Sequence, residues 1–240
     1  MKSFVIITGG LDGLGYDLCS FYLKRGHDVF LSYFTDDDFH EKNFLTLDSL
    51  GKVERCHMDL RDQVSIDHFF DRCLREKCPD IWINNAGVSY SSLTLRLSGN
   101  DFDDMFKVNA QGTAYLSRKI AFKMALRKKG HILNVISHQA YGGRSMGLSG
   151  YAFSKGYLLG FTKDLAEEYG VQNIQCNAIC PGFMKTRMSK FLTKDSVEKY
   201  RLENTLKDLA SMESICQSVY DISFWPQVSG QTFVLDSRVL

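Results

Sequence analysis

The 240-residue chain contains no apolar run near the ~20 residues that a membrane-spanning helix needs. The apolar stretch ahead of Thr8 is too short for the core of a secretory signal, so a cytoplasmic protein is expected. There is no excess of charge: the formal net charge is +1, which excludes a broadly basic surface for nucleic acid or anionic membranes. The 7 cysteines are odd in number and form no C-x-x-C, which argues against a disulfide framework and a zinc site. No metal is therefore expected, and the cysteines read as small buried hydrophobes. No linker, internal repeat or low-complexity tract interrupts the chain. An apolar content of 44% is ordinary for a globular protein, and residues 1–240 read as a single domain.

Glycine is concentrated at the start. "TGGLDGLG" begins at Thr8, directly after the apolar run Phe4 to Ile7, and holds Gly9, Gly10, Gly13 and Gly15. Glycine loses more backbone freedom on folding than any other residue, so such a cluster implies that bare backbone is needed there. The fingerprint G-x-G-x-x-G is absent. Thr8, Gly9, Gly13 and Gly15 spell T-G-x-x-x-G-x-G instead. Placed between a strand and a helix, such a turn can hold a pyrophosphate against the helix N-terminus.

Strand and helix patterns alternate along the chain. Strands are expected at Phe4–Ile7, Val29–Phe34, Val53–Met58, Ile81–Asn84, His131–Ile136, Ile174–Ile179 and Gln231–Leu235. Helices are expected at Leu14–Lys24, from Thr35–Asp38 onward, and at Asp62–Lys77, Phe102–Arg127 and Tyr151–Tyr169, with mainly polar helical residues after Pro181. Repeated strand–helix–strand units imply right-handed crossovers and a parallel sheet. The expected fold class is α/β: a single doubly wound, Rossmann-type domain with a seven-stranded parallel sheet and helices on both faces.

Nearly every strand ends in a polar motif. Asn84-Asn85-Ala86-Gly87 follows the fourth strand and Ser137 the fifth. Pro181-Gly182-Phe183-Met184-Lys185-Thr186 follows the sixth. Asn109 lies in the long helical region and Tyr151-Ala-Phe-Ser-Lys155 opens the next helix. An open α/β sheet binds its ligand at the carboxyl ends of its strands. With these motifs in place the chain resembles the short-chain dehydrogenase/reductase family over practically its whole length. Its tail, Ser229-Gly-Gln-Thr-Phe-Val-Leu-Asp236, is similar to that of bacterial 3-oxoacyl-acyl-carrier-protein reductases.

Tyr151 and Lys155 share one face of a helix. A nearby ammonium favours phenolate, so the tyrosine is expected to be unusually acidic and to exchange a proton with a carbonyl or alcohol oxygen. The resemblance implies Asn109, Ser137, Tyr151 and Lys155 as the catalytic set. Ser137 holds the substrate oxygen, and Asn109 kinks its helix and holds a water that connects Lys155 to solvent. Counting back from Tyr151 places the family's serine at His138, whereas counting forward from Gly130 places it at Ser137. The strand is the more rigid frame, so Ser137 is preferred with one residue inserted between Gln139 and Gly150, and His138 stays as the alternative.

The resemblance further implies that Thr8, Gly9, Gly13, Leu14, Gly15, Asp59, Leu60, Asn84, Ala86, Gly87, Tyr151, Lys155, Pro181, Gly182, Met184 and Thr186 hold NAD(H) or NADP(H). Asn84 and Asn85 stabilise the central strand, Ala86 and Gly87 leave room for the adenosine ribose, Asp59 and Leu60 meet the adenine, and Thr186 meets the nicotinamide carboxamide. Asp12 in the glycine turn would repel a 2′-phosphate, which favours NADH. The acidic residue that marks NAD-using relatives at the end of strand two is nevertheless replaced by Tyr33, with Asp36–Asp38 close behind.

A 3-oxoacyl thioester, free or on an acyl-carrier protein in fatty acid biosynthesis, is the expected substrate. Another secondary alcohol, such as a hydroxysteroid or sugar, is the alternative within enzymes, and a non-catalytic dinucleotide-binding regulator the alternative outside them. Arg127-Lys128-Lys129 could meet an acidic carrier protein or complement a helix end. Phe191, Leu192, Tyr200, Leu202 and Leu206 could cover the substrate or pack on the body. By resemblance the chain pairs into a homodimer or homotetramer through its two long helices and its last strand, although Ser237-Arg238 replaces the usual Gly-Gly after Asp236.

Overall fold

The computed structural model describes residues 2–74, 77–141, 145–190 and 193–238, the side chain of Met188 aside. Seven strands form one parallel sheet: β1 (Phe4–Ile7), β2 (Asp28–Tyr33), β3 (Val53–His57), β4 (Ile81–Asn84), β5 (Gly130–Val135), β6 (Ile174–Pro181) and β7 (Thr232–Leu235). Their spatial order is β3-β2-β1-β4-β5-β6-β7, and every pairing is parallel. The order reverses between β1 and β4, which opens a crevice at their carboxyl ends.

Side chains alternate across each strand, so an uninterrupted apolar strand feeds two cores. Val5 and Ile7 of β1 join Val29, Leu31, Ile81, Ile83 and Leu133 on one face. Phe4 and Ile6 join Phe30, Trp82 and Ile132 on the other. The first face is covered by α1 (Gly13–Leu23), α2 (Asp38–Asp48) and α8 (Met212–Ile222), through Leu18, Tyr22, Leu47, Ile215 and Val219. The second is covered by α3 (Gln63–Cys73), α5 (Thr113–Arg127) and α6 (Ser149–Tyr169), through Phe69, Ile120 and Leu165. The two remaining helices are α4 (Gly99–Phe106) and α7 (Lys194–Glu203). Among the described residues no helix is long and apolar enough to cross a membrane.

Strand boundaries fall within about two residues of the expected ones, as usual for element ends. Three regions differ more. α3 ends at Cys73, short of the expected Lys77. The single helix expected over Phe102–Arg127 is α4, a π-helical stretch Lys107–Gly112, and α5. The mainly polar stretch after Pro181 includes an amphipathic helix, α8, whose Ile215, Cys216, Val219 and Ile222 are buried beside α1.

Candidate active site

The glycine turn is built by backbone demands first. Gly9 has φ +66, and a Cβ on Gly15 would stand 2.0 Å from the Gly9 carbonyl oxygen, so neither position accepts a side chain. Thr8 is buried, and its Oγ1 accepts from the backbone N–H groups of Asn85 and Ala86, both at 3.0 Å. The Asn85 amide donates to the carbonyls of Thr8 at 3.0 Å and Gly9 at 3.1 Å. These bonds tie the end of β1 to the end of β4. Asn85 thus has the structural role expected of the asparagines in "NNAG".

Asn84 is buried away from the crevice. Its Oδ1 accepts from Trp82 Nε1 at 2.7 Å, and its Nδ2 donates to Ser117 and Asn134 at 2.8 and 2.7 Å. Its amide therefore stabilises the central strand, as expected of this asparagine, and its side chain faces the sheet interior. The cause is register: Asn84 is the last paired residue of β4, opposite Asn134 of β5, and only the residues after it leave the sheet.

α1 starts at the crevice. Its first intrahelical bond runs from Tyr16 N to Asp12 O, so the N–H groups of Leu14 and Gly15 precede the ladder, while Asp12 Oδ1 accepts from Gly13 N at 2.7 Å. A helix N-terminus beside a bare turn at the switch point fits the diphosphate of a dinucleotide. Asp59 and Leu60 follow β3. The Asp59 carboxylate is partly desolvated, but the bonds from Arg61 outweigh this and hold its pKa below the usual range. Leu60 is buried, and its carbonyl lies 2.1 Å from where a Cβ on Gly112 would stand.

Four expected catalytic residues meet where β5, α6 and the π-helical stretch converge. Lys155 is buried and donates from Nζ to Val135 O at 2.9 Å. Asn109 is fully buried, exchanges bonds with both the N–H and the carbonyl of Val88 at 2.8 Å, and donates to Ser154 at 3.0 Å. Asn109 Oδ1 and Lys155 Nζ come together above Gly87, 3.0 and 3.3 Å from where its Cβ would be. The expected kink at Asn109 is the π-helical stretch itself. An extra residue in the turn aims the side chain at Val88 instead of along the helix.

Tyr151 and Ser137 complete the cluster. Burial pushes the Tyr151 phenol up to about 12, with the neighbouring Ser137 hydroxyl pulling the other way. Burial likewise pushes the Lys155 ammonium down to about 8. The expectation of an unusually acidic phenol is thus corrected. Loss of hydration outweighs the attraction of an amine whose Nζ lies 5.9 Å from the ring centroid. A phenol protonated at neutral pH is suited to giving a proton. Ser137 stands just past β5, partly exposed, whereas His138 is buried in the short turn His138–Tyr141.

After β6, Gly182 N donates to Leu235 O at 3.1 Å, continuing the pairing of Pro181 with Leu235. Met184 packs partly on the first core, and its carbonyl accepts from Ser189 Oγ at 3.0 Å. Thr186 opens a short turn, Arg187–Ser189, and its Cγ2 lies 3.3 Å from where a Cβ on Gly13 would be. The segment therefore reaches across the crevice to the glycine turn.

Arg127-Lys128-Lys129 lies elsewhere. α5 runs antiparallel to the strands, so its end reaches the amino edge of the sheet, where Arg127 and Lys129 pair with Asp80 at 3.0 and 3.1 Å. Of the two readings of this cluster, positive charge complementing a helix end fits this place. Phe191 and Leu192 lie outside the described residues. Tyr200 stacks on Phe183 at 4.6 Å, and Leu206 is largely exposed.

The fold and this cluster define an NAD(P)-dependent oxidoreductase. The model of the short chain dehydrogenase family matches residues 3–197, and the chain belongs to that family. It is 29% identical over 224 residues to "3-oxoacyl-[acyl-carrier-protein] reductase FabG" of Buchnera aphidicola, covering 92% of this chain and 90% of that protein. It is 31% identical over 195 residues to "Oxidoreductase UcpA" of Escherichia coli, covering 80% and 73%. Among solved structures, "4-hydroxyisoleucine dehydrogenase complexed with NADH" superposes with a TM-score of 0.87 at 25% identity, covering 99% of this chain and 98% of that one. The "Pseudomonas aeruginosa RhlG/NADP active-site complex" superposes at 0.90 with 17% identity, covering 98% and 95%.

Proposed function

We propose that the chain is a single-domain cytoplasmic reductase that converts the ketone of a 3-oxoacyl thioester, presented on an acyl-carrier protein, to a secondary alcohol. The observation that carries this reading is the gathering of Tyr151, Lys155, Asn109 and Ser137 at the carboxyl end of β5, beside the crevice. The likeness to reductases named for that substrate supports the substrate class.

NADH or NADPH, when bound, supplies the hydride. Leu14, Gly15, Ala86, Gly87, Met184 and Thr186 would hold it. The Ser137 hydroxyl donates to the substrate carbonyl oxygen and fixes its direction. Tyr151 gives its phenolic proton to the same oxygen as negative charge develops there. Lys155, held at Val135 O, replaces that proton, and Asn109 keeps the neighbouring Val88 backbone in place. The chain pairs through α5 and α6, where Phe122 and Phe153 are 56% and 55% exposed.

The test is loss of nicotinamide absorbance with an acetoacetyl thioester, using NADH and NADPH in parallel. Turnover by the wild type and a fall of roughly 10²–10⁴-fold in Tyr151→Phe are expected. Turnover of a hydroxysteroid or sugar ketone but no thioester would replace the substrate class. Cofactor binding without turnover of any carbonyl would favour a regulator.

A further inference from the structure

Arg187, in the segment after β6, carries its charge across the crevice. Its Nε lies 3.4 Å from Asp12 Oδ2, and its Nη2 lies 3.8 Å from Asp37 Oδ2. Asp12 belongs to the glycine turn and caps α1, while Asp37 follows β2 and caps α2. The guanidinium carbon stands 4.6 Å from the centre of the Phe39 ring. The base of the side chain is fixed by reciprocal bonds between Thr186 and Ser189, which close the turn around Arg187.

Two features of this bridge point to a missing acceptor. Arg187 Nη1 is buried and has no hydrogen-bond partner among the described residues. An unsatisfied guanidinium N–H is expensive, and the Arg187 side chain as a whole is 36% exposed, so a turn of the guanidinium toward the crevice would bring this donor to an anionic oxygen from outside the chain. The second feature is the charge of Asp12. A carboxylate at the mouth of α1 opposes a doubly anionic diphosphate, and a guanidinium paired with it offsets that repulsion.

We propose that Arg187 binds the diphosphate of the dinucleotide. It is anchored across the crevice on Asp12 and Asp37, and its remaining guanidinium edge takes a diphosphate oxygen at the N-terminus of α1. The inference rests on the dinucleotide reading of this crevice. It alters the expectation drawn from Asp12 alone, because that carboxylate shares a cation and does not by itself decide between NADH and NADPH. A 2′-phosphate is the other anion that the same donor could meet, and the two sources are separable.

Calorimetric titration separates them. ADP-ribose carries the diphosphate without a 2′-phosphate, and adenosine 2′-monophosphate the reverse. Arg187→Gln is expected to weaken ADP-ribose binding roughly tenfold or more and to flatten its salt dependence. The same change is expected to leave adenosine 2′-monophosphate within about twofold. Arg187→Lys, which keeps the charge and loses the fork, is expected to fall between wild type and Gln. Circular dichroism and melting temperature confirm that both variants are folded. Unchanged ADP-ribose affinity in Arg187→Gln, or a loss confined to adenosine 2′-monophosphate, would overturn the assignment. A wild type that binds neither ADP-ribose nor NADH would overturn the dinucleotide reading as well.

Discussion

The amide of Asn109 brackets the backbone of Val88: Oδ1 accepts from its N–H and Nδ2 donates to its carbonyl, both at 2.8 Å. This bracket joins the π-helical stretch to the loop after β4, and it stands next to Lys155. Replacing Asn109 by Ala leaves both Val88 groups and Ser154 without that partner. A destabilisation on the order of 2–4 kcal/mol is expected by thermal or denaturant unfolding. Turnover should fall further than the folded fraction does, because the Lys155 side of the crevice loosens with it.

The titration of the cluster predicts opposite pH behaviour for the two directions of reaction. Reduction needs a protonated Tyr151, and a phenol pushed up to about 12 by burial keeps its proton at neutral pH. Alcohol oxidation needs the same proton removed, so its rate should climb with pH through the alkaline range, while reduction should fall above about pH 8 as Lys155 loses the proton it passes on. Parallel pH–rate profiles check this. An oxidation rate already flat below pH 8 would contradict it.

Stability should also respond to pH through Lys155. Burial lowers its pKa from 10.5 to about 8, so between these values the unfolded chain binds more protons than the folded one. Stability from this group therefore rises as pH increases through that window. Above pH 10 the raised pKa of Tyr151 acts in the opposite sense, since the unfolded phenol ionises first. Unfolding curves of wild type against Lys155→Met at pH 7 to 10 should show the wild type gaining relative to the variant.

Gly15 tolerates no methyl group. Its Cβ would stand 2.0 Å from Gly9 O and 2.5 Å from the Asn85 amide nitrogen, and the first of these is backbone that cannot turn aside. Gly15→Ala is expected to destabilise the chain by roughly 1–3 kcal/mol or more and to weaken NADH binding, as read by unfolding and by nucleotide fluorescence. Gly99→Ala serves as the control, because its Cβ would meet nothing within 4 Å.

α7 is tethered to the C-terminal tail. Asn204, buried at its end, accepts from the N–H and hydroxyl of Ser237 at 3.2 and 2.9 Å and donates to Tyr200 O at 2.9 Å. Behind them Asp236 and Arg238 form a buried ion pair. Asn204→Ala should release α7, raise KM for the keto substrate more than it lowers kcat, and speed proteolytic cleavage within α7. The residues that replace the expected Gly-Gly thus hold α7 to the tail.

Much of the fold can be read along the chain because parallel strands buried on both faces leave uninterrupted apolar runs such as Phe4 to Ile7. The crevice can be read because strand ends mark themselves with polar residues. The helix after Pro181 was harder to read. The apolar residues of α8 are few and spaced by polar ones, and only packing beside α1 shows which face is buried. The kink at Asn109 is implied by resemblance alone, since "KVNAQG" holds no proline to mark it.

By itself the sequence determined what local chemistry controls: element types, the order of strands and helices, the bare turn after β1, and the residue types able to move a proton. Tertiary structure decided which of them meet and in what charge state. Asn84 turned into the sheet because register placed it opposite Asn134. The basic cluster after Leu126 went to the far edge because α5 runs against the strands. Arg187 found Asp12 and Asp37 across more than a hundred residues of chain. Burial, a property of the assembled fold alone, set Tyr151 against the shift that its spacing from Lys155 implied and lowered Lys155 as well, since desolvation depends on everything packed around a group and not on its neighbours in sequence.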